Sequence, residues 1–129
     1  MTIHLRQLCL VASELEPVVE QLTGILGINV CHIDPGVEKY GLRNVLLPIG
    51  TDFLEVVAPL HAETAAGRYL QKMGGNAGYM VIVQTDNRAT QIEARQRAID
   101  AGIRIAHEED RIGWSFCQLH PADMVTAFL

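Results

Sequence analysis

One short word occurs twice in this chain, in the same setting each time. "GINVCH" at 27–32 and "GIRIAH" at 102–107 lie 75 positions apart. Each follows a helix-patterned stretch, opens on the glycine that stops it, and ends in histidine. A chain of 129 residues that repeats strand, helix, glycine stop and strand has two similar half-cores to bury.

The first unit opens with "HLRQLCLVA", whose alternation puts Gln7, Cys9 and Val11 on one face and Leu8 and Leu10 on the other. Ser13 with Glu16 matches a capping box, and Pro17 fits only the first turn of a helix. Leu15, Val18, Val19, Leu22, Ile25 and Leu26 make one apolar stripe. A helix is predicted over 13–26, stopped by Gly27. "INVCHI" reads as a second strand and "DPGVEKYGL" as a turn. "RNVLLPIG" and "TDFLEVVAP" read as a third and a fourth strand around Gly50. The second unit repeats the plan. "GYMVIVQTD" is a strand, 87–101 a helix ending before Gly102, and "IRIAHE" a strand. "WSFCQLHP" and "MVTAFL" form a closing hairpin. Between the units, "LHAETAAGRYLQKMGGNAG" carries a short helix and a glycine joint.

The predicted organisation is a single domain over 1–129, with a first module at about 1–59, a linker helix at about 60–76 and a second module at about 77–129. The predicted fold class is α+β. Two βαβββ modules lie side by side as a curved, mixed, eight-stranded sheet, with helices outside and a concave pocket inside.

Composition narrows the partners. A net charge of -5 argues against binding nucleic acid through its phosphates, which needs a basic face. No apolar run approaches the ~20 residues of a membrane span, and the N-terminus lacks the pattern of a signal peptide. Cytoplasmic residence is the default expectation. Cys9, Cys31 and Cys117 are an odd number without a CxxC, so neither a disulfide framework nor a zinc site is indicated.

Within "TDFLEVVAP", parity puts Phe53, Glu55 and Val57 on one face and Leu54 and Val56 on the other. The Leu/Val face suits the helix layer, so Glu55 is predicted to point into the concave space. A carboxylate there is costly unless paired, hydrated or protonated. It serves either as a general base or as a hydrated or arginine-paired acid at a pocket mouth. Gln7 and Cys9 share its face, as ligand contacts or as strand-to-strand bonds. Met80 and Ile82 line the cavity or pack the core. Tyr40 and Arg43, in "DPGVEKYGLRN", hold an anionic or aromatic substrate or belong to a surface turn. Trp114 and Phe116 wall the pocket or pack the core. His120 in "HPAD" reads as a turn residue.

"RQLCLVASELE", "TDFLEVVAP", "GYMVIVQTDN" and "HPAD", in this order and spacing, resemble the vicinal oxygen chelate superfamily of glyoxalase I, methylmalonyl-CoA epimerase, extradiol dioxygenases and bleomycin-resistance proteins. The resemblance covers nearly the whole chain. It implies a pocket that in many members holds one divalent metal, with ligands from the first, fourth, fifth and eighth strands. Carried over one at a time, these positions fall on Gln7, Glu55, Met80 and, by the internal repeat, position 130, one residue past Leu129. Glutamine and glutamate are acceptable ligands, whereas a thioether is a poor one for a hard or borderline divalent ion. The expectation is therefore no cofactor, with Gln7 and Glu55 the residues to hold a divalent metal if one binds.

The resemblance implies a glyoxalase-like enzyme of lyase or isomerase type. It would act on an oxygen-rich or carbonyl metabolite by proton transfer, with Glu55 as the catalytic residue. The alternative is a metal-free binding or resistance protein without turnover. Expected partners are a small-molecule ligand and a second copy of the chain, as a homodimer.

Overall fold

The computed structural model describes residues 2–124. The elements run β1 (Ile3–Val11), α1 (Leu15–Leu26), a 3-10 helix (Pro35–Tyr40), β2 (Leu42–Ile49), β3 (Asp52–Pro59), α2 (Ala65–Met73), β4 (Ala77–Thr85), α3 (Arg88–Asp100), β5 (Ile105–Arg111) and β6 (Trp114–Leu119). They form a four-stranded sheet of order β2-β3-β1-β4 and a two-stranded sheet of β5 and β6. The chain divides into two compact units. One is Gln7–Met80; the other joins the first few residues to the segment from Val81 onward.

In the unit Gln7–Met80, β2 and β3 form an antiparallel hairpin around Gly50, whose φ of 60° suits a residue without Cβ. β1 then adds to β3 in parallel, with Gln7 opposite Phe53, Cys9 opposite Glu55 and Val11 opposite Val57. Parallel neighbours need a crossover connection, and α1 lies within it. Its stripe works as the spacing predicts. Leu15, with Val18, Val19 and Leu22, packs on Ala12, Val45, Val56 and Ala58. Gly27 closes the helix in the left-handed region at φ 67°.

Three features of this unit depart from the sequence reading. The helix starts at Leu15, not Ser13. Its N-cap, Glu14, makes no side-chain cap, and the Ser13 N–H donates instead to Asn76 Oδ1 at 2.9 Å. The capping box is thus not formed. "INVCHI" is not a strand either. It makes a single bridge, His32 to Leu46, because the chain leaves the sheet two residues later. There the Asp34 N–H turns to Asn44 Oδ1 (3.0 Å), and the Asp34 carboxylate caps the 3-10 helix at Gly36 N (2.8 Å). The third departure is the linker helix. α2 lies over the sheet face opposite α1, where Ala66 and Leu70 join Cys9, Val11 and Val57 in a buried cluster. Helices therefore cover both faces of the sheet, and one end of the face assigned to an open pocket is core.

The other unit keeps the plan with different chemistry. α3 starts at a true cap, Asn87 Oδ1 accepting from the Thr90 N–H at 2.9 Å. Gly102 follows its end at φ 82°. β5 and β6 pair antiparallel, with a register shift between Ile105 and His107. "HPAD" forms a turn in which His120 Nδ1 accepts from the Ala122 N–H at 3.1 Å. Most of "MVTAFL", including the expected last strand, lies outside the described residues. The described residues thus make an α+β fold of six strands in two sheets, where the sequence predicts eight in one. Among them no helix is long and apolar enough to cross a membrane.

Candidate functional site

Glu55 sits in the middle of β3, flanked by Leu54 and Val56, and only 8% of its surface is exposed. Val56 belongs to the α1 side, so alternation turns Glu55 to the opposite face, as parity predicts. β1 and β2 are the strands on either side of β3, and each sends one amide to the carboxylate. Gln7 Nε2 donates to Oε1 at 2.8 Å, and Asn44 Nδ2 donates to Oε2 at 2.7 Å. These donors replace the water that burial removes. Rotating either amide by half a turn would set oxygen against oxygen, so the donors' orientation is fixed by the carboxylate itself.

Asn44 is the member of this hydrogen-bonded group that the sequence reading does not single out. It is 2% exposed, more buried than Glu55 itself. Its signal was available. In "RNVLLPIG" it is the amide at an alternate position of an otherwise apolar strand, on the face opposite Val45.

The other predicted residues separate. Phe53 is half-buried on the face of Glu55, opposite Gln7 in register. Cys9 is 3% exposed and sealed beneath α2 with Val11, Val57, Ala66 and Leu70. Burial, and next the Glu55 charge, push its thiol well above the ordinary value, and its packing is that of a core residue. Met80 packs against that same cluster, as does Tyr79, whose hydroxyl burial also raises. Arg43 faces the α1 side, where it pairs with Glu16. An arginine engaged on that face is not positioned for substrate beside Glu55. Tyr40 ends the 3-10 helix, partly exposed, with the Lys39 ammonium 5.0 Å from its ring centre.

Ile82, Trp114 and Phe116 belong to the other unit. Ile82 is half-buried in β4. Trp114 and Phe116 stack on β6 with centroids 5.7 Å apart, and the Arg111 guanidinium lies 4.8 Å from the Trp114 ring centre. Cys117, at the alternate position, meets α3 through the Gln91 amide at 3.7 Å. Phe116 also lines a cavity with Arg88, Gln91, Ile92 and Arg95 of α3.

The residues do not fit a divalent metal. Both Glu55 oxygens already accept amide N–H groups, and Gln7 presents its NH2, not its carbonyl oxygen, to that carboxylate. Met80 offers a thioether from the edge of a hydrophobic cluster. Among the described residues no group of three His, Cys, Asp or Glu side chains comes together. Catalytic sites for such ions typically show about three protein ligands. The position expected for a fourth ligand lies outside the described residues.

No protein-family model matches the chain, and no curated protein matches it significantly in sequence. Its fold does match solved structures. Methylmalonyl-CoA epimerase in complex with methylmalonyl-CoA and NH4+ superposes with a TM-score of 0.80 at 22% identity, covering 99% of this chain and 92% of that one. A variant of the Streptomyces coelicolor methylmalonyl-CoA epimerase, in complex with 2-nitronate-propionyl-CoA, gives 0.80 at 23%, covering 96% and 89%. A hypothetical protein, BH1468 from Bacillus halodurans C-125, gives 0.81 at 18%, covering 99% and 91%. This chain shares the fold of these epimerases.

Proposed function

We propose that this protein is an isomerase or lyase of the glyoxalase-like kind that moves a proton beside a carbonyl, with Glu55 as the base. The observation that carries the reading is the buried Glu55 carboxylate, held from both sides by neutral amides and, among the described residues, by no cation. Two amides orient it without the counter-charge that a cationic partner would bring. No metal enters the reaction as we read it. The bound ligands named for the fold neighbours make acyl-CoA thioesters the first substrate class to test, because a thioester carbonyl acidifies the adjacent C–H.

The substrate is held so that this C–H meets a Glu55 oxygen, and half-buried Phe53 gives that space an apolar wall. Glu55 takes the proton, charge moves onto the thioester oxygen, and delivery of a proton from water or a second acid to the opposite face of the carbon completes an isomerisation, whereas return to the same face gives exchange alone. The Gln7 and Asn44 amides hold the carboxylate through both steps. Met80 remains proposed as further lining.

The test is exchange in D2O. Wild-type protein with methylmalonyl-CoA or propionyl-CoA should incorporate deuterium next to the carbonyl, followed by mass spectrometry, with or without chelator. Absence of exchange across a panel of acyl-CoA esters, α-hydroxy acids and α-keto acids would reject the enzyme reading. A second reading, a metal-free small-molecule binder, draws on the same hydrogen bonds. Both carboxylate oxygens are satisfied within the protein, as a structural carboxylate requires. Thermal stabilisation by a panel member without exchange would favour it. Elemental analysis after chelator-free purification is expected to find no stoichiometric zinc, nickel or manganese. Near one-to-one metal, lost in Gln7→Ala and Glu55→Ala, would overturn that. The homodimer is also a proposal, and sedimentation showing only a 14.2 kDa species would refute it.

A further inference from the structure

We infer that Asn44 is a positioning residue that ties the seat of the 34–41 segment to the Glu55 carboxylate. The inference rests on the role proposed for Glu55. Its basis is the direction of three hydrogen bonds. The Asp34 backbone N–H can only donate, and it donates to Asn44 Oδ1 at 3.0 Å. That fixes which end of the Asn44 amide faces which way, so its NH2 must point to Glu55 Oε2, 2.7 Å away. Gln7 completes the series from the other side at 2.8 Å. Position 44 therefore needs an acceptor toward Asp34 and a donor toward Glu55 in one short planar group. Among the side chains of this size, only asparagine supplies both.

The segment beyond Asp34 is seated at both ends. Asp34 Oδ1 caps the 3-10 helix through the Gly36 N–H at 2.8 Å. At the far end Gly41, at φ 73°, accepts from the Leu60 N–H at 2.7 Å, and Thr64 occupies the place its Cβ would take. A shift of Asp34 would pull Asn44, and with it one of the two bonds that aim the carboxylate. A carboxylate misplaced by about 1 Å loses proton transfer by about 10²-fold. A ligand that moves or steadies residues 34–41 thus acts on Glu55 through a single amide.

Asn44→Asp separates positioning from plain structural support. The aspartate is isosteric and still accepts from the Asp34 N–H, but it sets a second carboxyl against Glu55 in place of a donor, so the pair repels or shares one proton. If position 44 held only the loop and did not bear on Glu55, turnover and the Gln7 resonance would stay as in wild type. The expected result is a fold retained by circular dichroism, an Asp34 amide that keeps its protection from hydrogen exchange, and a KM for the exchanging thioester within about twofold. Turnover should fall about 10- to 100-fold. The Gln7 side-chain NH2 resonance should also move, although Gln7 is unaltered, because it shares the carboxylate. Asn44→Ala should lose both turnover and Asp34 protection. Wild-type turnover in Asn44→Asp, or an unmoved Gln7 resonance, would overturn the inference. If wild type exchanges nothing, the proposed function falls on its own account. The Gln7 and Asp34 resonances then still decide whether Asn44 links the two.

Discussion

The chain writes one plan twice and gives the copies different interiors. In residues 7–80 the helix has an apolar stripe, the strands bury Val11, Leu47, Val56 and Val57, and one carboxylate is kept among them. In the segment from Val81 onward the helix is capped and polar, and it meets its hairpin through charge. Arg88 pairs with Asp110, and Arg95 with Glu108. Burial holds the first copy, whereas in the second the helix meets its hairpin through exposed ion pairs that add little stability, so the two should answer perturbation differently. A buried charge with neutral partners is available for chemistry, whereas a charge already paired at the surface is a weak contributor to anything.

The largest contrast should come from the two glutamates. Glu55→Gln keeps the shape of the carboxylate and removes its basicity. It should lower thioester exchange by about 10²-fold or more while ligand binding survives. Glu108→Gln breaks the pair with Arg95 and should leave exchange unchanged. Equal loss from both would end the distinction between the copies.

Next in size is the core. Leu47 is fully buried on β2, and Leu47→Ala should cost about 2–5 kcal/mol, read as a lowered urea midpoint. Ile112, in the turn between β5 and β6, is fully exposed. Ile112→Ala should leave the midpoint in place. A third and smaller contrast lies at the helix starts. Asn87→Ala removes the cap of α3 and should cost about 1 kcal/mol. Ser13→Ala removes no cap and should cost close to nothing by the same measurement.

The smallest effect is one of pH. Hydrogen bonds from Arg104 hold the Asp123 carboxyl well below its usual range. A depressed folded value means that the pair stabilises above the unfolded value and is lost only as pH falls through the lower one. Both groups are exposed, so the consequence is local. The Arg104 Nε–H resonance should keep its paired shift through mild acid and lose it only in strong acid, with little change in melting temperature.

The sequence exposed the parts of this molecule that depend on near neighbours. The stripe from Leu15 to Leu22, the stop at Gly27, the short helix after Thr64 and the hairpin around Gly50 all follow from local pattern. So did the inward turn of Glu55, because period-two alternation decides it once Val56 is assigned to the helix side. What failed depended on distant partners. Ser13 is an adequate cap by sequence, but Asn76, far along the chain, takes its N–H. Cys9 has the parity of a site residue, but α2 arrives to cover it. Arg43 has the charge to bind an anion, but its strand parity gives it to Glu16. Asn44 was legible as a misfit in an apolar strand, and its meaning was not, because both partners lie outside its own stretch.

The parallel pairing of β1 with β3 has a consequence for how the molecule is made. β1 sits between β3 and β4 in the sheet, and both are made after it. Gln7 and Glu55 are 48 residues apart in sequence and meet only when β3 has emerged. Non-local pairings of this kind slow folding, because the loop must close before any contact rewards it. Until then β1 presents Leu8, Leu10 and Val11 with both edges open, a surface that invites pairing with another nascent chain. The step that assembles the carboxylate cluster is thus also the step that covers one open edge of β1.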